Sequence, residues 1–202
     1  MVDNIAPAME DGFEKRDDDA EQIARKHGFE FLQCTAPGRY TVPMEGSSLE
    51  RAPKVQFREV PVSDTETLKE MAELMTKYSW GEEYPVSPMN ELEHADYLIG
   101  AYEGDALAGF AAINRIASPD EQGNGEWWFA DVVVKPEYRE LGIYTKLYEQ
   151  RMDWLRDKPG RIFTCTEVPV IDEFVLARGW IKNRDTKDEE GNDCRVYEFL
   201  RS

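Results

Sequence analysis

Residues 131–147, Asp-Val-Val-Val-Lys-Pro-Glu-Tyr-Arg-Glu-Leu-Gly-Ile-Tyr-Thr-Lys-Leu, combine the residue types that can hold a phosphate. Val132, Val133 and Val134 read as the end of a buried strand, Pro136 closes it, and Gly142 opens a helix. Such a turn aims consecutive backbone N–H groups at one point, where the helix dipole also favours an anion. Gly142 lets a bulky phosphate approach the main chain, and Arg139 can add a charge-assisted contact. Carboxylates stand on either side of this turn. Asp131 interrupts the apolar run Phe129–Val134, and a carboxylate placed there is either a base or a structural hydrogen-bond acceptor. Glu167 ends the following strand, and Glu126 precedes Trp127-Trp128, where an exposed strand start is the simpler reading. Upstream, no Lys or Arg occurs between Lys77 and Arg115, while Glu82, Glu83, Glu91, Glu93, Asp96, Glu103 and Asp105 do. With Trp80 and Tyr84 as flat partners, that stretch suits a cationic ligand, and it equally suits a solvated acidic face.

The elements that must carry these groups follow from periodicity. Val55–Val60 alternates like a strand, and Ser63-Asp-Thr-Glu66 has the pattern of a capping box. Leu68, Met71, Ala72 and Met75 then share one helical face. Trp80–Ala95 reads as a Pro-interrupted helix or loop. Tyr97–Tyr102 and Ala106–Ile116 read as strands joined by a hairpin at Glu103-Gly-Asp105. Trp127–Val134 has the near-continuous apolar character of a central strand, with the double Trp packed in the core. A long helix is predicted over Ile143–Asp157, with Tyr144, Tyr148, Met152 and Leu155 on one stripe. Arg161–Thr166 reads as a strand, Val170–Arg178 as a short helix stopped by Gly179, and Asp193–Leu200 as a last strand. Mixed order with one parallel crossover predicts an α+β fold.

Residues 1–53 read as a separate N-terminal extension, and 54–202 as the main domain. The extension has an acidic start, a helix near Asp19–His27, short strands at Phe29–Gln33 and Arg39–Val42, and a linker over Pro43–Pro53. The start lacks the features of a signal peptide, and no apolar run approaches the ~18 residues a spanning helix needs. Cys34, Cys165 and Cys194 form neither a disulfide framework nor a zinc set, and with only two His residues no metal is expected. These features predict a reduced, cytoplasmic protein. A net charge of −17 disfavours nucleic acid and anionic membrane as partners.

The stretch Val134, Pro136, Tyr138, Arg139, Gly142 and Ile143 resembles the Val-x-Pro-x-Tyr-Arg-x-x-Gly-Ile segment of the GCN5-related N-acetyltransferases. The order of elements over residues 55–200 is similar to that family too. The resemblance implies a mixed, mostly antiparallel central sheet with helices on both faces, and acetyl-CoA as co-substrate. It implies that the backbone amides of Leu141, Gly142, Ile143 and Tyr144 hold the CoA pyrophosphate, with Arg139 and Glu140 beside them in the cofactor-binding turn. The edge of Val132, Val133 and Val134 would pair with the pantetheine arm like an added strand. An oxyanion contact is expected from the Val134 N–H, and the base from Asp131, Glu167 or Glu126. Trp80, Glu82, Glu83 and Tyr84 would face the acceptor, a primary amine of a small molecule or peptide.

Two positions depart from the family pattern. Tyr144 stands where a small residue is usual, and Val175 where many members have a proton-donating Tyr. Tyr138, Tyr144 or Tyr148 could supply that proton, or a thiolate could leave without one. The departures keep two other readings open, a non-catalytic CoA-binding or regulatory module and a structural interaction protein. A homodimer is equally open.

Overall fold

The computed structural model describes residues 54–188 and 190–201. The expectations for residues 1–53 lie outside the described residues. Seven strands form one sheet in the order β1-β2-β3-β4-β5-β7-β6. They are β1 (Val55–Glu59), β2 (Tyr97–Glu103), β3 (Ala106–Asn114), β4 (Trp127–Val134), β5 (Ile162–Thr166), β6 (Trp180–Lys187) and β7 (Asp193–Phe199). Every neighbouring pair is antiparallel except β4 with β5, the expected crossover. The α+β architecture therefore matches the reading from sequence. Among the described residues, no helix is long and apolar enough to cross a membrane.

Helices cover both faces, because β2, β3 and β4 are apolar at successive positions and bury both sides. On one face, α1 (Thr65–Met75) and α2 (Pro88–Glu93) pack Leu68, Met71, Met75 and Leu92 against Phe110 and Val133. On the other, α3 (Ile143–Leu155) and α4 (Pro169–Leu176) pack Ile143, Leu147, Tyr148 and Val175 against Ala111 and Phe129. Each fully buried Leu or Phe contributes roughly 1.5–3 kcal/mol of transfer free energy.

The cap of α1 lies one residue beyond the predicted one. Asp64, not Ser63, accepts from the Thr67 N–H at 3.2 Å and from the Thr67 hydroxyl at 2.8 Å. Glu66 instead pairs with Lys69 at 3.0 Å along the exposed side of the helix. Between α1 and α2, a π-turn over Thr76–Trp80 ends at Gly81, whose φ of +83° favours glycine.

Strand β6 was not expected from sequence. Only Trp180 of its eight residues is buried, and the charged remainder shows none of the apolar alternation that marks a strand. Asn183 is an extra residue between Lys182 and Arg184, so the edge is both bulged and charged. Arg184 reaches back from this edge to Asp120 through two bonds, Nε to Oδ2 at 2.7 Å and Nη2 to Oδ1 at 2.6 Å. This pair ties β6 to the β3–β4 loop, both side chains being largely buried.

Hydrogen bonding from Arg184 holds the Asp120 carboxyl far below the usual carboxylate range. Because the folded pKa is depressed, the stabilisation is complete above about pH 4 and is lost as pH falls toward the folded value. Asp120→Asn is expected to cost about 2 kcal/mol near neutral pH, in line with hydrogen bonds to charged groups. It should also flatten the fall of unfolding free energy between roughly pH 4 and 2. Urea titrations over that range check both, and an unchanged slope refutes the assignment.

Candidate active site

Strands β4 and β5 run side by side only at Trp127–Phe129 and Ile162–Thr164. The Thr164 hydroxyl donates to the Phe129 carbonyl at 3.2 Å, closing the apex. Beyond it the strands diverge, while β4 stays paired with β3 as far as Val134. From Ala130 onward the β5-facing edge of β4 therefore has no strand partner among the described residues. The opening is a cleft of about 800 Å³, bordered by Val132, Val134, Gly142, Tyr144 and Thr166.

A bulge shapes the inner wall. Ala111 faces Val132 whereas Ala112 faces Ala130, which leaves Asp131 as the extra residue of β4. The carbonyls beside it, Ala112 and Ala130, accept from Nη1 of Arg151 at 3.4 and 3.1 Å. Across the opening, Glu167 follows β5, and its carbonyl accepts from Nη2 of Arg195 at 2.7 Å. Asp131 and Glu167 thus line the cleft from the two diverging strands. Glu126 lies outside the lining and accepts from the Arg161 N–H at 2.8 Å.

The turn after β4 begins where the Lys135 N–H donates to Ala108 at 2.9 Å. A single 3-10 turn at Pro136–Tyr138 follows. The Tyr138 hydroxyl donates to Glu103 at 2.8 Å, and that carboxylate raises its pKa. Arg139 folds back, its Nε donating to the Val134 carbonyl at 3.2 Å. Glu140 at φ +63° and Gly142 at φ +72° then reverse the chain twice before α3 starts. A non-glycine residue in that region is held at a cost of order 1–2 kcal/mol, so Glu140 reports a turn fixed by its surroundings. Among the described residues no side chain caps α3, and a Cβ on Gly142 would meet nothing within 4 Å. Its first-turn N–H groups are therefore presented beside open space lined by Glu140, Gly142, Ile143 and Tyr144.

Tyr144 does not fill that space. Its ring packs edge-on against Phe174 at 4.8 Å, and burial raises its pKa, keeping the hydroxyl protonated at neutral pH. The Tyr148 hydroxyl accepts from Trp180 Nε1 at 2.9 Å, and burial raises its pKa as well. Val175 is 3% exposed on the same wall and offers no proton.

Of the other predicted site residues, Val132 and Val134 are half-buried toward α3, whereas Val133 is buried toward α1. Leu141 is exposed at the outside of the turn. Trp80 and Tyr84 line the outer cleft with ring centroids 4.6 Å apart. Glu82 and Glu83 are exposed and stand outside the cleft lining. The half-buried acid on that side is Glu91, whose Oε2 accepts from Asn114 at 3.3 Å. Arg151 escaped notice in the sequence, although its spacing of three from Tyr148 and seven from Tyr144 puts all three on one helical face.

The profile of the acetyltransferase (GNAT) family matches residues 65–171, more than half of the chain, and the chain belongs to that family. Among solved structures, the PaiA N-acetyltransferase of Thermoplasma acidophilum, in complex with coenzyme A, is similar at 21% identity and a TM-score of 0.53. That match covers 73% of this chain and 99% of the other. The aminoglycoside 6'-N-acetyltransferase from Enterococcus faecium gives 16% identity over 73% and 99% of the two chains, with a TM-score of 0.54. An acyl-CoA N-acyltransferase from Pseudomonas aeruginosa gives 12% identity over 72% and 99%, with a TM-score of 0.59. At these identities the likeness is one of fold. No curated protein sequence matches the chain.

Proposed function

We propose that the chain is a CoA-dependent N-acetyltransferase that acts on a primary amine of a small molecule or peptide. The observation that supports this reading is the edge of β4 that has no strand partner among the described residues beyond Phe129, and that runs from the apex of the split to the glycine turn at the start of α3. An extended arm fits such an edge and a pyrophosphate fits such a turn. The fit is chemical as well as spatial, since the edge supplies backbone donors and acceptors and the turn supplies N–H groups.

Bound acetyl-CoA supplies the acyl group, with the amine N–C bond forming, the C–S bond breaking, and an amide and the CoA thiol as products. The first-turn amides of α3 would bind the pyrophosphate, and a β4 N–H, Val134 in our reading, would hold the carbonyl oxygen. An alkylamine of pKa near ~10 is about one part in a thousand neutral at pH 7, a handicap of roughly 4 kcal/mol. Asp131 and Glu167, one on each diverging strand, are the groups we assign to remove that proton, directly or through water. The protonated hydroxyl of Tyr144 or Tyr148, both on the cleft wall with Val175, is our substitute for the donor that Val175 lacks. Trp80 and Tyr84 would hold a cationic acceptor, with Glu91 in place of the more remote Glu82 and Glu83.

Val175 favours a second reading, a CoA-binding module without turnover. Two measurements separate them. Titration with acetyl-CoA is expected to give saturable binding, and thiol release over a panel of diamines, aminoglycosides and N-terminal peptides is expected to identify at least one acceptor. Binding without thiol release for any amine selects the second reading, and no binding refutes both.

A further inference from the structure

The alternation of β4 changes phase along its length. At the start of the strand the odd-numbered residues face β5. The Trp127 N–H donates to the Arg161 carbonyl at 3.1 Å, and the Phe129 carbonyl accepts from Thr164 at 3.2 Å. At its end the even-numbered residues face the split. The Val134 carbonyl takes Nε of Arg139 at 3.2 Å, while the following N–H, of Lys135, turns to Ala108 of β3 at 2.9 Å. Side chains invert in step, Phe129 and Val132 packing with the α3-side cluster, Ala130 and Val133 with the α1-side cluster. Asp131, the extra residue of the bulge, shifts the phase. A strand residue points its N–H and C=O to the same edge, so in a regular β4 the Val134 N–H would be spent on β3. The bulge turns it, with that of Val132, toward the cleft.

A bulge interrupts the ladder, and here Arg151 takes up the carbonyls beside the interruption. Its Nη1 donates to Ala130 of β4 at 3.1 Å and to Ala112 of β3 at 3.4 Å, and its guanidinium carbon lies 4.2 Å over the Phe129 ring. Among the described residues it is the only Lys or Arg that is buried, at 2% exposed. Burial lowers its pKa to about 10, which leaves it a cation at neutral pH, and the charge of Asp131 is among those that favour this form. A buried cation requires compensation, which these carbonyls and this carboxylate supply. The helix that starts at the Gly142 turn carries Arg151 about 13 Å further along its axis, so α3 joins the turn to the bulge. We propose that Arg151 is a positioning residue for acyl transfer, clamping the β3–β4 bulge through both carbonyls and so keeping the Val132 and Val134 amides turned to the cleft. The inference rests on the CoA-dependent reading above, and in it Arg151 touches no reacting atom. A loosened bulge would let β4 return to regular pairing with β3 and withdraw the oxyanion donor, while the N–H groups of the Gly142 turn stay in place.

The test combines kinetics of the full chain with isotope-edited infrared spectra of bound acetyl-CoA labelled at its carbonyl. In the wild type the carbonyl stretch should fall below its frequency in free acetyl-CoA, the signature of hydrogen bonding to that oxygen. Arg151→Met, similar in length and without donors, should restore the free frequency and lower kcat by about 10²-fold, with the affinity for CoA unchanged. Arg151→Lys, which keeps a charge and can serve one carbonyl, should recover part of both losses. A wild-type carbonyl at the free frequency overturns the inference, whether or not the variants fold. An Arg151→Met protein that matches wild type in both carbonyl frequency and kcat overturns it as well. Loss of CoA affinity by the same factor as kcat marks a structural role and has the same consequence, as does failure of both variants to fold. Titration of the wild-type chain with CoA reports separately on the underlying reading: absence of binding removes that reading, and the inference with it.

Discussion

Gly142→Asp is expected to leave the protein folded and to weaken CoA binding by at least about a hundredfold. The two halves of that result have different causes. Gly142 is the N-terminal cap of α3, its φ is +72°, and an added Cβ meets nothing within 4 Å. Asp is among the few residues that visit the left-handed region at modest cost, and a carboxylate near a helix N-terminus is stabilising. Thermal unfolding should therefore stay within a few degrees of wild type. For binding, the same carboxylate competes for the first-turn N–H groups that a pyrophosphate would use. It also sets a negative charge against the ligand's own charges, an opposition of about 1 kcal/mol per pair at 4 Å in water and about 4 kcal/mol at an effective dielectric of 20. Gly142→Ala carries the backbone strain without the charge and should cost far less affinity. Calorimetry of the three proteins with CoA checks the order. Equal affinity for wild type and Gly142→Asp would remove the pyrophosphate from this turn.

The parts of this molecule that were legible in its sequence are those where local chemistry and tertiary role agree. Trp127–Val134 reads as a central strand because burial on both faces demands an apolar run. Gly104 at φ +60° closes the β2–β3 hairpin where Glu103-Gly-Asp105 announced it. Strand β6 was missed because its strand character comes from pairing with β7, and its side chains were selected for an exposed edge. The helix cap fell on Asp64 because adjacent Ser and Asp both have capping side chains, and only the tertiary path of the chain chooses between them. At the site, the strand–turn–helix segment was visible as a contiguous unit. Arg151 was not, and Glu91 stood among seven acids with nothing local to single it out, since their places depend on a bulge and on a loop packed from distant segments. Contiguity is thus the limit on what could be read. A phosphate turn is local, whereas an acyl or acceptor pocket is assembled.

The pair Asp131→Asn with Glu167→Gln is expected to lower kcat/KM at pH 7 by about 10²–10⁴, the range typical for loss of a general base. Both carboxylates line the cleft from opposite strands, so either single variant leaves one group able to receive the proton, directly or through water. The double variant removes both and preserves side-chain shape. Its defect should depend on pH in a stated direction. Turnover needs a neutral amine, and the neutral fraction grows tenfold per pH unit below the amine pKa. At pH 9 the acceptor needs less help than at pH 6, so the ratio of wild type to double variant should shrink as pH rises. The loss should also fall on kcat more than on the affinity for acetyl-CoA, because neither side chain belongs to the pyrophosphate turn. Rate profiles between pH 6 and 9, with CoA binding measured in parallel, distinguish this from a structural defect, which would lower both quantities at every pH. Full turnover by the double variant across that range would mean that neither carboxylate is the base. Glu91 would then become the group to replace, because it lines the acceptor side of the same cleft.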